Sequence, residues 1–280
     1  MSKPLSTSDF RAIRSILEPE DFALSEGPER RPSDLIDKEI WHGIMDLPDD
    51  VAIRTSNHNG KDIKIMYELW SSWIDAIGET EDLLYIPMLD SVDDYQASVF
   101  NILHGYYRQS FDSLRSALEL TTIATECQLR NKVTEFAQWR AGTVEMSLGG
   151  ACDGIATASR ARTIEIYLKN KLEDNLFSQR NRVRNMNGGW IRRLFGDLSN
   201  FAHSRPGYTN GDLWNSNGPV YDQNAFNKSY SYYLNTMSAC YILVKLARIN
   251  FKLPEVASKM FLSNDLIISV IAQESFKNLF

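Results

Sequence analysis

At 280 residues, with 43% apolar and 24% charged residues and a net charge of −6, the chain has the make-up of globular material, enough for one large domain or two small ones. The acidic balance, with a pI near 5.3, argues against bulk affinity for nucleic acid. No window reaches the roughly 18 apolar residues of a membrane span and no leader pairs positive charge with an apolar run, so the expectation is a protein with no membrane association.

Residues 1–60 hold Pro4, Pro19, Pro28, Pro32 and Pro48, with short helical candidates at Ser8 to Leu17 and Ser33 to Met45 between them. Pro32-Ser33-Asp34 before Leu35 and Ile36 is a usable helix start. This part reads as an N-terminal arm, followed by a helical bundle domain over 61–280. Asn59-Gly60 marks a turn, and helical spacing resumes with Ile63, Met66, Tyr67, Trp70, Trp73, Ile74 and Ile77.

After Pro87 the run from Val92 to Thr125 is free of proline and interrupted only by Gly105. Read as one helix it spans roughly 50 Å, a long central rod for the bundle. Phe100, Leu103, Tyr107, Phe111, Leu114 and Leu118 give it an apolar face. His104, Arg108, Asp112, Arg115 and Glu119 fall on another arc, within about 80° of one another. Helical candidates follow at Val133 to Trp139 and from Val144 to Leu172, where Gly149-Gly150 permits close approach or a break.

Asn181 to Gly189 is a polar connector. The stretch Trp190 to Gly207 is an amphipathic helix. Trp190, Ile191, Leu194, Phe195, Leu198, Phe201 and Ala202 share one arc, whereas Arg192, Arg193, Asp197, Ser199, Asn200, His203 and Ser204 share the other, and Pro206-Gly207 ends it. Residues 205–223 lack periodicity and carry Tyr208, Trp214 and Tyr221; a structureless loop of that length in a compact domain is uncommon and is more often functional or mobile. Phe226 to Phe251 is another long helix, and Pro254 opens short terminal ones. No hairpin or repeat is present, so the fold class is all-α.

Charge is unevenly placed. Residues 160–193 hold nine Lys or Arg against three acids, a local +6, leaving −12 for the remainder. Solvated helix faces would account for this, and so would a basic cleft leading to the His203 helix. Cys127, Cys152 and Cys240 are widely spaced with no C-x-x-C pairing, as in reduced thiols of a cytoplasmic protein.

Several chemistries can be set aside. Gly60-Lys61 is followed by Asp62 and lacks the upstream glycine of a phosphate loop, and no G-x-S-x-G elbow occurs. Glu39-Ile40-Trp41-His42 is an E-x-x-H without its second copy, so no metal and no cofactor are expected. What remains is His203. A neutral imidazole can take the proton of a ribose 2′-hydroxyl while a nearby guanidinium stabilises charge on the phosphate. A helix-terminal histidine bonding to the last carbonyls is the plainer account.

The helix from Tyr106 to Leu120 (YYRQSFDSLRSALEL) and the later run from Leu194 to Gly207 (LFGDLSNFAHSRPG) resemble the HEPN superfamily. They are similar to its bacterial branch with an R-S-x-x-E helix (Arg115, Ser116, Glu119) and an L-S-x-x-x-H helix end (Leu198, Ser199, His203). The match covers about residues 93–250. The resemblance implies a helical bundle that commonly dimerises, in systems of antiphage defence or toxin and antitoxin, with many members acting as metal-independent ribonucleases. Active members carry an Arg four to six residues before the His. Here the nearest upstream Arg is Arg193, ten residues and about 15 Å away along the axis. The cation would have to come from Arg108, Arg115, Arg205 or a second subunit.

On this reading His203 is the base, Asn200 a positioner, and Arg108, Arg115 and Glu119 complete the catalytic set. Arg205, Arg192, Arg193, Tyr208 and Trp214 are expected to bind RNA, and the protein to be a homodimer. The alternative is a non-catalytic scaffold subunit that binds a partner protein of the same system. A weaker option is a small-ligand binder using Tyr106, Tyr107, Tyr232 and Tyr233.

Overall fold

The computed structural model describes residues 37–78, 82–179, 188–202, 219–263 and 266–280. These form ten helices and no strand: α1 (Lys38–Ile77), α2 (Tyr85–Leu103), α3 (Tyr107–Arg130), α4 (Val133–Arg140), α5 (Leu148–Ala156), α6 (Ser159–Leu172), α7 (Trp190–Ala202), α8 (Gln223–Ala247), α9 (Glu255–Leu262) and α10 (Val270–Leu279). The all-α expectation holds. The chain divides into two compact units, residues 1–49 and 50–280. In the first, Asp37 caps α1 by accepting the Ile40 N–H (2.8 Å), and His42 Nδ1 meets Asp46 one turn later (2.9 Å). The candidate helix Ser8 to Leu17 and the helix start at Pro32 to Asp34 lie outside the described residues.

In the second unit the expected single rod from Val92 to Thr125 is two helices. Gly105 has a φ of +77°, a conformation open to glycine and strained for other residues, and the chain reverses there into a hairpin of α2 and α3. A side chain at this position would run into the carbonyl of Val220. His104 therefore caps the end of α2, with Nδ1 against the Phe100 carbonyl (2.8 Å), and leaves the stripe that it was expected to share with Arg108, Asp112, Arg115 and Glu119.

The central helix of the bundle is thus the 24-residue α3, and it runs parallel to α8. Tyr107 accepts the Asp222 N–H (3.3 Å), Phe111 meets Tyr232 edge-on (5.3 Å), and Cys240 lies against the Ala117 carbonyl (3.9 Å), in the same order along both helices. From Tyr233 to Leu246 nearly every residue of α8 is buried, the mark of a helix apolar all round and enclosed by others. Trp73 seals the layer between α1, α2 and α8, donating to Ser91 (2.9 Å) and packing edge-on against Tyr95 and Tyr241. Side chains of this size, fully buried, each contribute about 1.5–3 kcal/mol. At the foot of α8, Arg248 grips the Asp82 carboxylate with two bonds (2.6 and 2.7 Å) and the Ile77 carbonyl (2.9 Å).

Of two further boundaries, one is as expected. Asn59 is non-helical (φ −129°, ψ 24°) and α1 is two helical segments joined across a kink there, where Asn59 exchanges amide bonds with Gln223 at the head of α8 (2.8 and 3.3 Å). The run from Val144 to Leu172 is split between α5 and α6. Gly149 and Gly150 sit in the first turn of α5, where Ser147 caps the Gly150 N–H (3.1 Å). The close approach is made one turn later by Gly154, whose face lies against the buried Glu126.

Candidate functional site

The site is built on α7, which buries Trp190, Ile191, Leu194, Leu198 and Phe201 and leaves its polar arc half-buried between neighbouring helices. The segment before it fastens its first turn. Asn175 and Leu176 offer carbonyls to the N–H groups of Trp190 (2.8 Å) and Ile191 (3.1 Å), which have no partner inside the helix. Glu165 of α6 holds that segment from behind, accepting the Leu176 (3.0 Å) and Phe177 (2.9 Å) N–H groups. Burial raises the Glu165 carboxyl to about 7, against the pull of those two bonds.

Arg192 and Arg193, expected at the RNA surface, are spent on this fastening. Arg192 donates to the carbonyls of Phe177 and Gly149 (2.8 Å each) and to Asp153. Arg193 forms a two-pronged pair with Asp174 (2.6 and 3.1 Å). Two cations at the positive end of a helix dipole are poorly placed unless carboxylates answer them, and Asp153 and Asp174 do so. We therefore reassign both arginines to the architecture. Among the other described bases of 160–193, Arg160, Lys169 and Lys171 also bond to carbonyls or carboxylates of the chain; Arg180, Arg182 and Arg184 lie outside the described residues.

The C-terminal half of α7 is where the two motifs meet. Arg115 Nε donates to Ser199 Oγ (3.0 Å), and its guanidinium lies over the Phe195 ring (4.9 Å). Glu119, one turn on, faces the same guanidinium at 3.6 Å. Ser116 turns the other way and bonds to Asp94 of α2, whose carboxyl burial raises to about 6. Phe111 stacks on Phe201 (4.6 Å). Because 111 pairs with 201 and 115 with 195 and 199, α3 and α7 are antiparallel. Arg108, two turns before Arg115 on the same stripe, therefore stands level with the end of α7.

On the opposite flank α8 supplies two residues that the sequence did not single out as a pair. Lys228 Nζ lies 4.5 Å from the centre of the Phe201 ring, and Tyr232 donates to Asp197 (3.3 Å). Burial raises the Asp197 carboxyl, while Tyr232, Lys228 and Arg193 pull it down. Their spacing of one helical turn was the only signal available, and a lysine with a tyrosine at that spacing is unremarkable. Asn200 is half-buried on α7 between these flanks.

His203, Arg205, Tyr208 and Trp214 lie outside the described residues; His203 is the residue after the last of α7 in the sequence. Among the described residues no group of three His, Cys, Asp or Glu could hold a metal ion, and no helix is long and apolar enough to cross a membrane. All three cysteines are free and buried, and burial pushes the Cys127 and Cys152 thiols up to about 12, so neither is a ready nucleophile. No family model, curated protein or solved structure matches the chain.

Proposed function

We propose that the chain is a HEPN-like protein of a bacterial defence or toxin–antitoxin system that binds RNA at the C-terminal end of α7 and cleaves it without a metal. The observation that carries this reading is the Arg115–Ser199 bond (3.0 Å), which joins the R-S-x-x-E helix to the L-S-x-x-x-H helix across 84 residues of sequence. Arg108 on one flank and Lys228 on the other add positive charge at the same helix end. A phosphate there would meet guanidinium donors suited to two-pronged contact. In the cleavage step His203 takes the 2′-hydroxyl proton and the 2′-oxygen attacks the adjacent phosphorus. The cations stabilise the oxyanion as the 5′-oxygen departs and takes a proton from water, His203 then releasing its proton to the resulting hydroxide, leaving a 2′,3′-cyclic phosphate and a 5′-hydroxyl.

The test is incubation with total RNA in EDTA, comparing the wild type with His203→Ala and reading end groups. Cleavage that disappears in the variant and leaves cyclic phosphates is expected; its absence in homodimer and in any partner complex removes the enzyme. A second reading, a non-catalytic subunit that docks a partner protein, is favoured by one observation: Arg115, Arg192 and Arg193 all donate within the fold. A stable complex on co-purification, unaffected by His203→Ala and without RNA cleavage, would establish it instead.

A further inference from the structure

A second positive centre lies where α6 begins and where α8 and α10 end. Ile164 of α6, Leu246 and Ile249 at the close of α8, and Leu279 of α10 wall a cavity of about 280 Å³, and Arg160 and Lys245 stand at it. Each cation spends part of its donor set on carbonyls at the end of α8. Arg160 donates to Leu246 (3.1 Å), and Lys245 donates to Phe251 (2.7 Å) and Ile249 (3.3 Å). The Lys245 ammonium also lies 5.2 Å from the centre of the Phe280 ring.

Closing a helix C-terminus accounts for one such cation. It does not account for two against apolar walls. Burial and the charge of Arg160 both lower the Lys245 pKa, so the pair repel one another, and among the described residues neither has a carboxylate partner. Arg160 also stands in the first turn of α6, which has no acid and no side-chain cap at Ala158. That end of a helix attracts anions. A guanidinium carries five N–H donors, and Leu246 occupies one of Arg160's. The wall is apolar where a ligand's body would lie, and Ile249 is 61% exposed at its rim.

We propose that this cavity binds a small amphipathic oxyanion: a carboxylate or phosphate-monoester head held by Arg160 and Lys245, with an apolar body against Ile164, Leu246 and Ile249. The site is independent of the RNA reading.

The test is calorimetric titration of the full chain with octanoate, octyl phosphate, octanol and inorganic phosphate. Saturable binding of octanoate or octyl phosphate is expected, at least about tenfold tighter than that of octanol or inorganic phosphate. The tighter of the two heads identifies the ligand's chemistry. Arg160→Gln and, separately, Lys245→Met should each weaken it by about tenfold or more; should one variant fail to fold, the other decides. Octanol binding as tightly would show a greasy cavity with no anion preference, and inorganic phosphate binding as tightly would show a bare anion site. Either result, or no saturable binding by any of the four, overturns the proposal.

Discussion

Replacing Gly105 by alanine tests the turn that sets the start of α3 and hence the register of Arg108 and Arg115 against α7. Two penalties add. A φ of +77° costs an L-residue about 1 kcal/mol relative to glycine. The new methyl would also strike the Val220 carbonyl and come within 2.8 Å of Val51 Cγ1, and overpacking of this kind costs about 1–3 kcal/mol. Val220 has little room to retreat, because Asp222 just beyond it is tied to Tyr107 (3.3 Å) and caps the Ala225 N–H of α8 (2.7 Å). The total is about 2–4 kcal/mol, a large share of the stability of a typical domain. Gly142 supplies the control: its φ is +70°, but nothing lies within 4 Å of an added methyl, so Gly142→Ala should lose only about 1 kcal/mol. Urea unfolding at 25 °C reads both. Equal losses in the two variants would refute the collision with Val220 and with it the hairpin.

Arg192→Ala should cost about 2–3 kcal/mol in the same assay, since it strips the Phe177 and Gly149 carbonyls and Asp153 of a charged donor, while leaving RNA affinity of the folded variant unchanged; a selective loss of RNA binding would return it to the site. Arg248→Ala should cost about 3 kcal/mol by leaving Asp82, 12% exposed, without its partner, and a change under 1 kcal/mol would contradict that burial. Glu165 is raised from 4.5 to about 7, so the fold holds its proton more tightly than the unfolded chain does. Its contribution is complete below pH about 4.5 and is lost as pH rises through about 7. Glu165→Gln, which keeps an acceptor for Leu176 and Phe177, should flatten that slope in thermal melts between these limits, and an unchanged slope would assign the titration elsewhere. Lys228→Gln should lower the slope of log affinity against log salt for single-stranded RNA by about 0.7, one phosphate contact, measured by fluorescence polarisation; a slope equal to wild type would remove Lys228 from the site.

The helical class was legible because period 3.6 is written into every long segment, but not every break was. An isolated glycine in a helix costs about 1 kcal/mol, so Gly105 inside a proline-free run reads as a tolerated flaw. What makes it a turn is Val220, more than a hundred residues later, packed where a side chain would go. Asn59-Gly60 is the legible counterpart. Its turn chemistry marks the point where Asn59 leaves the helical conformation (φ −129°, ψ 24°), and Gln223 holds the Asn59 amide there (2.8 Å). At Gly105 a distant backbone group decides between two locally acceptable conformations, whereas at Asn59 the local chemistry already points the right way.

The same limit governs the site. The helical wheel puts Arg115 and Glu119 on one arc and Ser199 on another, but it is silent on which neighbour each arc faces. Arg192 and Arg193 look like binding residues on the wheel because their principal partners include the carbonyls of Gly149, Phe177 and Gly188, and a carbonyl has no sequence signature. The helix dipole supplies the distinction that the wheel lacks. At the N-terminal end of α7 two arginines oppose the dipole and are stable only because Asp153 and Asp174 neutralise them. At the C-terminal end Arg115 and Lys228 agree with the dipole. An RNA phosphate arriving there faces the negative end of the helix, so one cation would be offset and several are required. On the proposed RNA reading, Arg108, Arg115 and Lys228, drawn from two other helices, would meet that requirement without an arginine in the last turn of α7.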